Sequence, residues 1–106
     1  METSNFIPFR AARPTEVVKA EMEARGMSQK ELAELLDMRA SNLSRFLRHG
    51  DITILMARRL EAAFGIPAES WLRMQLTYER DARAIAAREA TARQTAKAAA
   101  PQSAAQ

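Results

Sequence analysis

The chain has 106 residues, 47% of them hydrophobic, which is enough for a single modest core. It has no cysteine and one histidine, so disulfide frameworks and cysteine-based zinc sites are excluded, and no apolar run approaches the length of a membrane span. The formal net charge of +3 comes from residues 82–106, with four bases and one acid, while residues 1–81 balance at twelve of each; any case for an anionic partner therefore rests on where charge lies.

Met1–Asn5 is polar. Phe6-Ile7-Pro8-Phe9 is a short apolar patch broken by proline, and reads as an extended arm lying on the domain, with contact to a partner as the alternative. The leading residues lack an apolar signal-peptide core, so a cytoplasmic protein without a membrane partner is expected. Pro14 precedes a first helix predicted over Thr15–Arg25. Thr15 is the candidate cap, Val17, Val18 and Met22 supply the inward face, and Gly26 ends the helix.

From Ser28 to Arg48 the chain reads as two short helices joined by a tight turn. Ser28 and Glu31 have the spacing of a capping box. Leu32, Leu35 and Leu36 then give one apolar stripe, and Ala33 on its inner side lets a second helix cross closely. Asp37 breaks the run and Met38 plugs the turn. Arg39 to Asn42 begins the second helix, whose inner stripe is Leu43, Phe46 and Leu47. The outer side keeps Arg39, Ala40, Ser41, Asn42, Ser44, Arg45 and Arg48, with no acid among them. Gly50, after His49, suits a left-handed C-cap.

Thr53 caps a predicted fourth helix over Ile54–Phe64, with Met56, Ala57, Leu60 and Phe64 buried, Arg58 and Arg59 outward, and Gly65 as terminator. Pro67 opens a fifth helix, where its missing amide costs little. On it Trp71, Gln75 and Tyr78 share one side and Leu72 and Leu76 another. Trp71 should close the core. The second apolar side points to a homodimer contact, with Trp71, Leu72, Gln75, Leu76 and Tyr78 as its candidate residues. From Asp81 the composition turns to Ala, Arg, Gln and Thr, of high helix propensity, so the fifth helix can run on towards Lys97 as a solvated rod, with Pro101–Gln106 disordered. The expected organisation is an arm (1–13), a helical domain (14–81) and an Ala/Arg-rich tail (82–106).

A helical hairpin alone fits many small bundles. The charge layout separates the cases. Glu16 to Asp37 carries six acids and three bases, whereas Arg39 to Arg59 carries five bases and one acid. A basic surface confined to the second helix of the pair and its successor is the footprint of a phosphate-binding face. Base edges call for side chains in the N-terminal half of that helix and one turn on: Ala40, Ser41, Ser44 and Arg45. Phosphates suit Gln29, Arg39, Asn42 and Arg48. One helix reads only a few base pairs, so double-stranded DNA with a palindromic site, bound by a homodimer, is the expected partner.

The residues SQKELAELLDM-RASNLSRFL resemble the Xre/Cro/C1-type helix-turn-helix, whose pattern is SQ-x-ELA-x-x-x-G-V-S-x-x-x-I-S. Ser28, Gln29, Glu31, Leu32, Ala33 and Ser44 match, Met38 and Leu43 are apolar for apolar, and Asp37 stands at the usual turn glycine. Over about residues 8–81 the chain resembles the HigA branch of antitoxins. Pro14 and Glu16 match part of its HPGE-type opening motif, from which Arg13 and Thr15 depart. Pro67, Trp71, Leu72, Gln75 and Tyr78 match its PEFWL-x-LQ-x-x-Y-type closing motif. The resemblance implies an all-α, five-helix, lambda-repressor-like helix-turn-helix domain with an Ala-rich C-terminal extension. It also implies an antitoxin that neutralises a HigB-type, RelE-like mRNA-cleaving toxin and represses its own operon. A stand-alone repressor without a toxin is the alternative, and a module that meets an acidic protein is another. Catalysis is not expected, since the chain lacks a nucleophile or metal with a positioned base; no metal site and no cofactor are expected either.

Overall fold

The computed structural model describes residues 7–99, which form five helices: α1 (Pro14–Ala24), α2 (Gln29–Leu35), α3 (Ala40–His49), α4 (Ile54–Phe64) and α5 (Ala68–Ala99). The readings made for Met1–Asn5, Phe6 and Pro101–Gln106 fall outside the described residues. The chain divides into two units, one spanning Ala12–Tyr78 and the other joining Met1–Ala11 with Glu79–Gln106.

Within Ala12–Tyr78, α1 begins one residue earlier than the sequence predicts. Arg13 is the N-cap, with extended backbone and no side-chain cap bond, and Pro14 is the first helical residue. Proline at that position has its φ preset and no amide left unpaired, so a side-chain cap is dispensable. Thr15 is therefore not the cap; it sits in the first turn and is 1% exposed. The C-terminal end of α1 is tied to the end of α4 by Arg25. Its Nη2 donates to the Phe64 carbonyl at 3.0 Å, its guanidinium lies 4.7 Å over the Phe64 ring, and it pairs with Glu21.

The capping box of α2 forms as the spacing requires. Ser28 Oγ accepts from the Glu31 amide at 3.1 Å, and the Ser28 amide donates to Glu31 Oε1 at 2.8 Å. Leu32, Ala33 and Leu36 are buried, but Leu35 is 54% exposed, against expectation. A step of about 100° per residue turns Leu35 away from the direction the other three share. Asp37 makes the turn with φ +55, a conformation that glycine usually supplies and Asp tolerates. Its carbonyl accepts from Arg59 Nη1 at 3.4 Å. Arg59 is consequently half-buried across the turn rather than directed outward.

The inner stripe of α3 is Leu43, Phe46 and Leu47, and the helix packs against α1 and α2, while α2 also meets α4. Gly50 ends α3 with φ −78, so no left-handed cap is present. The glycine answers to space instead. A Cβ there would fall well inside contact distance of Phe46 Cδ1 and 2.9 Å from the Phe46 carbonyl oxygen. Thr53 caps α4 through its Oγ1, which accepts from the Met56 amide at 3.1 Å, and Gly65 closes α4 with φ +80. Pro67 offers its carbonyl to Ser70 and Trp71, and Glu61 Oε1 accepts from the Ala68 amide at 3.0 Å, which starts α5. Trp71 is fully buried, with its ring centroid 6.4 Å from that of Phe64. Around this pair lie Val18, Met22, Leu32, Leu36, Leu43, Leu47, Ile52, Ala57 and Leu60.

In the other unit, α5 continues to Ala99, two residues past the predicted reach at Lys97. Asp81 is buried and accepts from Arg80 Nε and Nη2 at 3.2 and 3.0 Å, and Arg88 Nη2 donates to the Pro8 carbonyl at 3.3 Å. From Ala86 to Arg93 and on to Ala98 the helix is exposed, and Phe9 in the arm is 93% exposed.

Candidate nucleic-acid interface

Helix α3 has two unlike sides. The inner one buries Leu43, Phe46 and Leu47 at 0%, 8% and 3% exposure. The opposite side leaves Ala40, Ser41, Asn42, Arg45 and Arg48 exposed and Ser44 half-buried. With 3.6 residues per turn, Ser41, Arg45 and Arg48 fall on one line along the outer surface. No acidic residue lies between Ala40 and Gly50. Arg48 Nη1 donates to Ser44 Oγ at 3.3 Å, and Arg45 Nη1 reaches Asn42 Oδ1 at 3.5 Å. Both guanidiniums therefore lie along the helix, held by weak polar contacts that a stronger acceptor can replace. Among exposed groups such contacts stabilise little in water.

The flanking candidates are also at the surface. Gln29 is exposed at the first position of α2, and Arg39 is exposed as the N-cap of α3, with its own side chain not used for capping. Helix α2 therefore starts with an exposed carboxamide, and α3 starts with an exposed guanidinium. Both are arrangements that suit phosphate oxygens. No residue assigned to base or phosphate contact is buried.

The five residues assigned to a subunit contact do not stay together. Trp71 is 0% exposed and Gln75 6%, so both belong to the interior of this chain and are corrected to structural positions. Gln75 Oε1 accepts from the Ile52 amide at 2.8 Å and its Nε2 donates to Asp51 Oδ1 at 3.1 Å. A carboxamide is hydrogen-bonded inside because burying it without partners costs too much. Leu72 is half-buried against the core. Tyr78 is half-buried with the Arg13 guanidinium 4.8 Å over its ring, and Leu76 alone is a large exposed apolar group, at 66%. Sequence reasoning missed the Gln75 bridge and the stacking of Arg13 on Tyr78. The one available signal was a polar residue one turn after Trp71 on the same, inward, side.

No helix among the described residues is long and apolar enough to cross a membrane, and no three of their His, Asp or Glu side chains group as metal ligands.

A family model described as helix-turn-helix matches residues 18–71, which takes in α2 and α3 and the core around them. Two solved structures are similar over most of their length. An addiction module antidote protein of the HigA family from Coxiella burnetii is 29% identical with a TM-score of 0.63, covering 69% of this chain and 82% of that one. The Pseudomonas aeruginosa antitoxin HigA with the higBA promoter is 25% identical, also with a TM-score of 0.63, covering 88% of this chain and 99% of that one. No curated protein matches the chain significantly.

Proposed function

The chain belongs to the helix-turn-helix family, in its Xre-type, HigA-like form, and from that premise we propose that it is the antitoxin of a type II toxin–antitoxin pair. It neutralises a HigB-type, RelE-like toxin that cleaves mRNA, and as a homodimer it binds a palindromic operator and represses its own operon. The observation that carries the DNA half is the exposed, acid-free outer side of α3, bearing Arg45 and Arg48 and backed by a fully apolar inner side. One side anchors the helix and leaves the other free to enter a major groove. The likeness to the Pseudomonas aeruginosa HigA with the higBA promoter supports the same reading, and the antitoxin half rests on the two HigA likenesses.

In this reading Arg45 pairs with the O6 and N7 of a guanine, and Ser41, Ser44 and Ala40 meet neighbouring base edges. Gln29, Arg39, Asn42 and Arg48 hold phosphates and set the register. The second copy is engaged through the outer side of α5 around Leu76, with Leu72 and Tyr78 at its margins. Two recognition helices then lie about 34 Å apart, one turn of the duplex.

The test is a gel shift on the DNA immediately upstream of the gene, with and without the product of the neighbouring open reading frame, alongside co-expression of the two. The expected results are a salt-sensitive complex on that duplex, a further shift on adding the neighbour, and rescue of growth from the neighbour's toxicity. Binding to the duplex with no toxic or co-purifying neighbour would instead make the protein a stand-alone repressor. No binding to any duplex would refute the DNA half.

A further inference from the structure

The segment that follows the recognition helix is short and carries Asp51, the one acid between Arg39 and Arg59. Three observations show it to be tightly held. Gly50 lies against Phe46 with no room for a Cβ. Ile52 is 4% exposed and belongs to the core. Gln75, itself 6% exposed, reaches the segment from α5 with both ends of its carboxamide, accepting from the Ile52 amide at 2.8 Å and donating to Asp51 Oδ1 at 3.1 Å.

We propose that Gln75 is a positioning residue for DNA recognition: from α5 it fixes the exit of α3, and it holds the Asp51 carboxylate by one oxygen. The inference rests on α3 being the DNA-reading helix. The physical argument has two parts. A segment without helical hydrogen bonds has its backbone amides to satisfy, and the Ile52 amide is paired by a side chain of another helix. That bond links the end of α3 to α5, an element that makes no part of the groove-facing surface. The second part is electrostatic. Asp51 follows Arg48 by three residues, and a carboxylate free to swing there competes with phosphate for the arginines of the α3 surface. Donation from Gln75 Nε2 fixes its orientation.

A polarity swap tests this. In Gln75→Glu the Nε2 donor facing Asp51 is replaced by an oxygen, an acceptor opposite an acceptor, and the two carboxylates repel. In Gln75→Glu with Asp51→Asn the bond returns with its direction reversed, because the Asn amide donates to the Glu. Asp51→Asn alone keeps an acceptor for Gln75 and serves as the charge control. Two readouts are taken on the full chain at about pH 8, well above the ordinary carboxylate range. The first is the ratio of affinities for the upstream duplex and a scrambled duplex, which cancels the long-range effect of a changed net charge. The second is amide hydrogen exchange over the last turn of α3 and through Thr53, which needs no DNA.

The expected result is a ratio lowered about tenfold in Gln75→Glu, the discrimination carried by one misplaced bidentate base contact. Exchange at Arg48–Ile52 should be faster in that variant, with both readouts restored in the double variant and near wild type in Asp51→Asn. A general loss of stability would lower both affinities together and leave the ratio alone. Unchanged exchange in Gln75→Glu, or a wild-type ratio in that variant, overturns the proposal, as does a double variant no better than the single one. If the wild-type chain fails to discriminate between the duplexes, the reading of α3 has failed. The exchange data then decide by themselves whether Gln75 holds the end of that helix.

Discussion

Substitution of Gly50 separates two reasons for a glycine at a helix end. If Gly50 were a left-handed cap, Asn would replace it at a cost of a few tenths of a kcal/mol and Ala at about 1 kcal/mol, because Asn tolerates positive φ. The backbone at Gly50 has φ −78 and ψ 156, which any residue adopts. On conformation alone, Gly50→Ala should stabilise the protein by about 0.4–1 kcal/mol through the unfolded chain. The added Cβ, however, would overlap Phe46 Cδ1 and sit 2.9 Å from the Phe46 carbonyl oxygen and 3.0 Å from its Cα. The ring can turn, but it is 8% exposed in a packed core, and the two backbone atoms belong to α3 itself. Forcing a methyl into such a site costs about 1–3 kcal/mol. The net expectation is a loss of about 1–2 kcal/mol for Ala, and Asn no better than Ala because both carry the same Cβ. In a domain of this size that lowers the melting temperature by about 4–16 °C. Thermal denaturation followed by circular dichroism, with urea titration as a second measure, checks it. A Gly50→Asn protein that melts with the wild type while Gly50→Ala falls would restore the cap explanation. If both melt at or above the wild-type temperature, the packing argument is wrong.

The division of labour on the DNA face gives a second prediction. Arg45→Ala should reduce discrimination against a substituted guanine by about 1–3 kcal/mol, while Gln29→Ala weakens every duplex alike. Equal scaling of all sites by both variants would contradict it. Arg48→Ala should reduce the slope of log affinity against log salt by about 0.9, the share of one phosphate, and an unchanged slope would remove Arg48 from the backbone contacts. Ser28→Ala removes the acceptor for the Glu31 amide and should cost about 1 kcal/mol in urea denaturation, with no change in the salt slope of DNA binding. Leu76→Asp places a charge on the large apolar residue that α5 leaves exposed and should shift sedimentation from dimer to monomer without lowering the melting temperature of the monomer. A dimer that survives this change is held by another surface.

What could be read along the chain was whatever depends on near neighbours. The capping box of Ser28 and Glu31, the Thr53 cap and the Gly65 terminator all formed where their spacing placed them, because each is complete within one or two turns. The two sides of α3 were equally legible, since Leu43, Phe46 and Leu47 repeat at helical spacing and leave a single outer line for the arginines. Periodicity cannot say which neighbour a residue will meet. Leu35 looked like a core residue but faces out, because the centre of its helix's buried side is set by the helices packed against α2. Thr15 is buried although it lies in the first turn of its helix, and Arg59 and Gln75 found partners in distant parts of the chain, Arg59 on the Asp37 carbonyl and Gln75 on Ile52 and Asp51. At Gly50 the amino acid was evident and its reason was not, since the ring that excludes a side chain is placed by the core. Local hydrogen bonds and helical repeat thus determined the elements and the two-sidedness of α3. The tertiary structure alone decided which polar groups hold that helix in place, because burial and long-range hydrogen bonds exist only once the helices have packed.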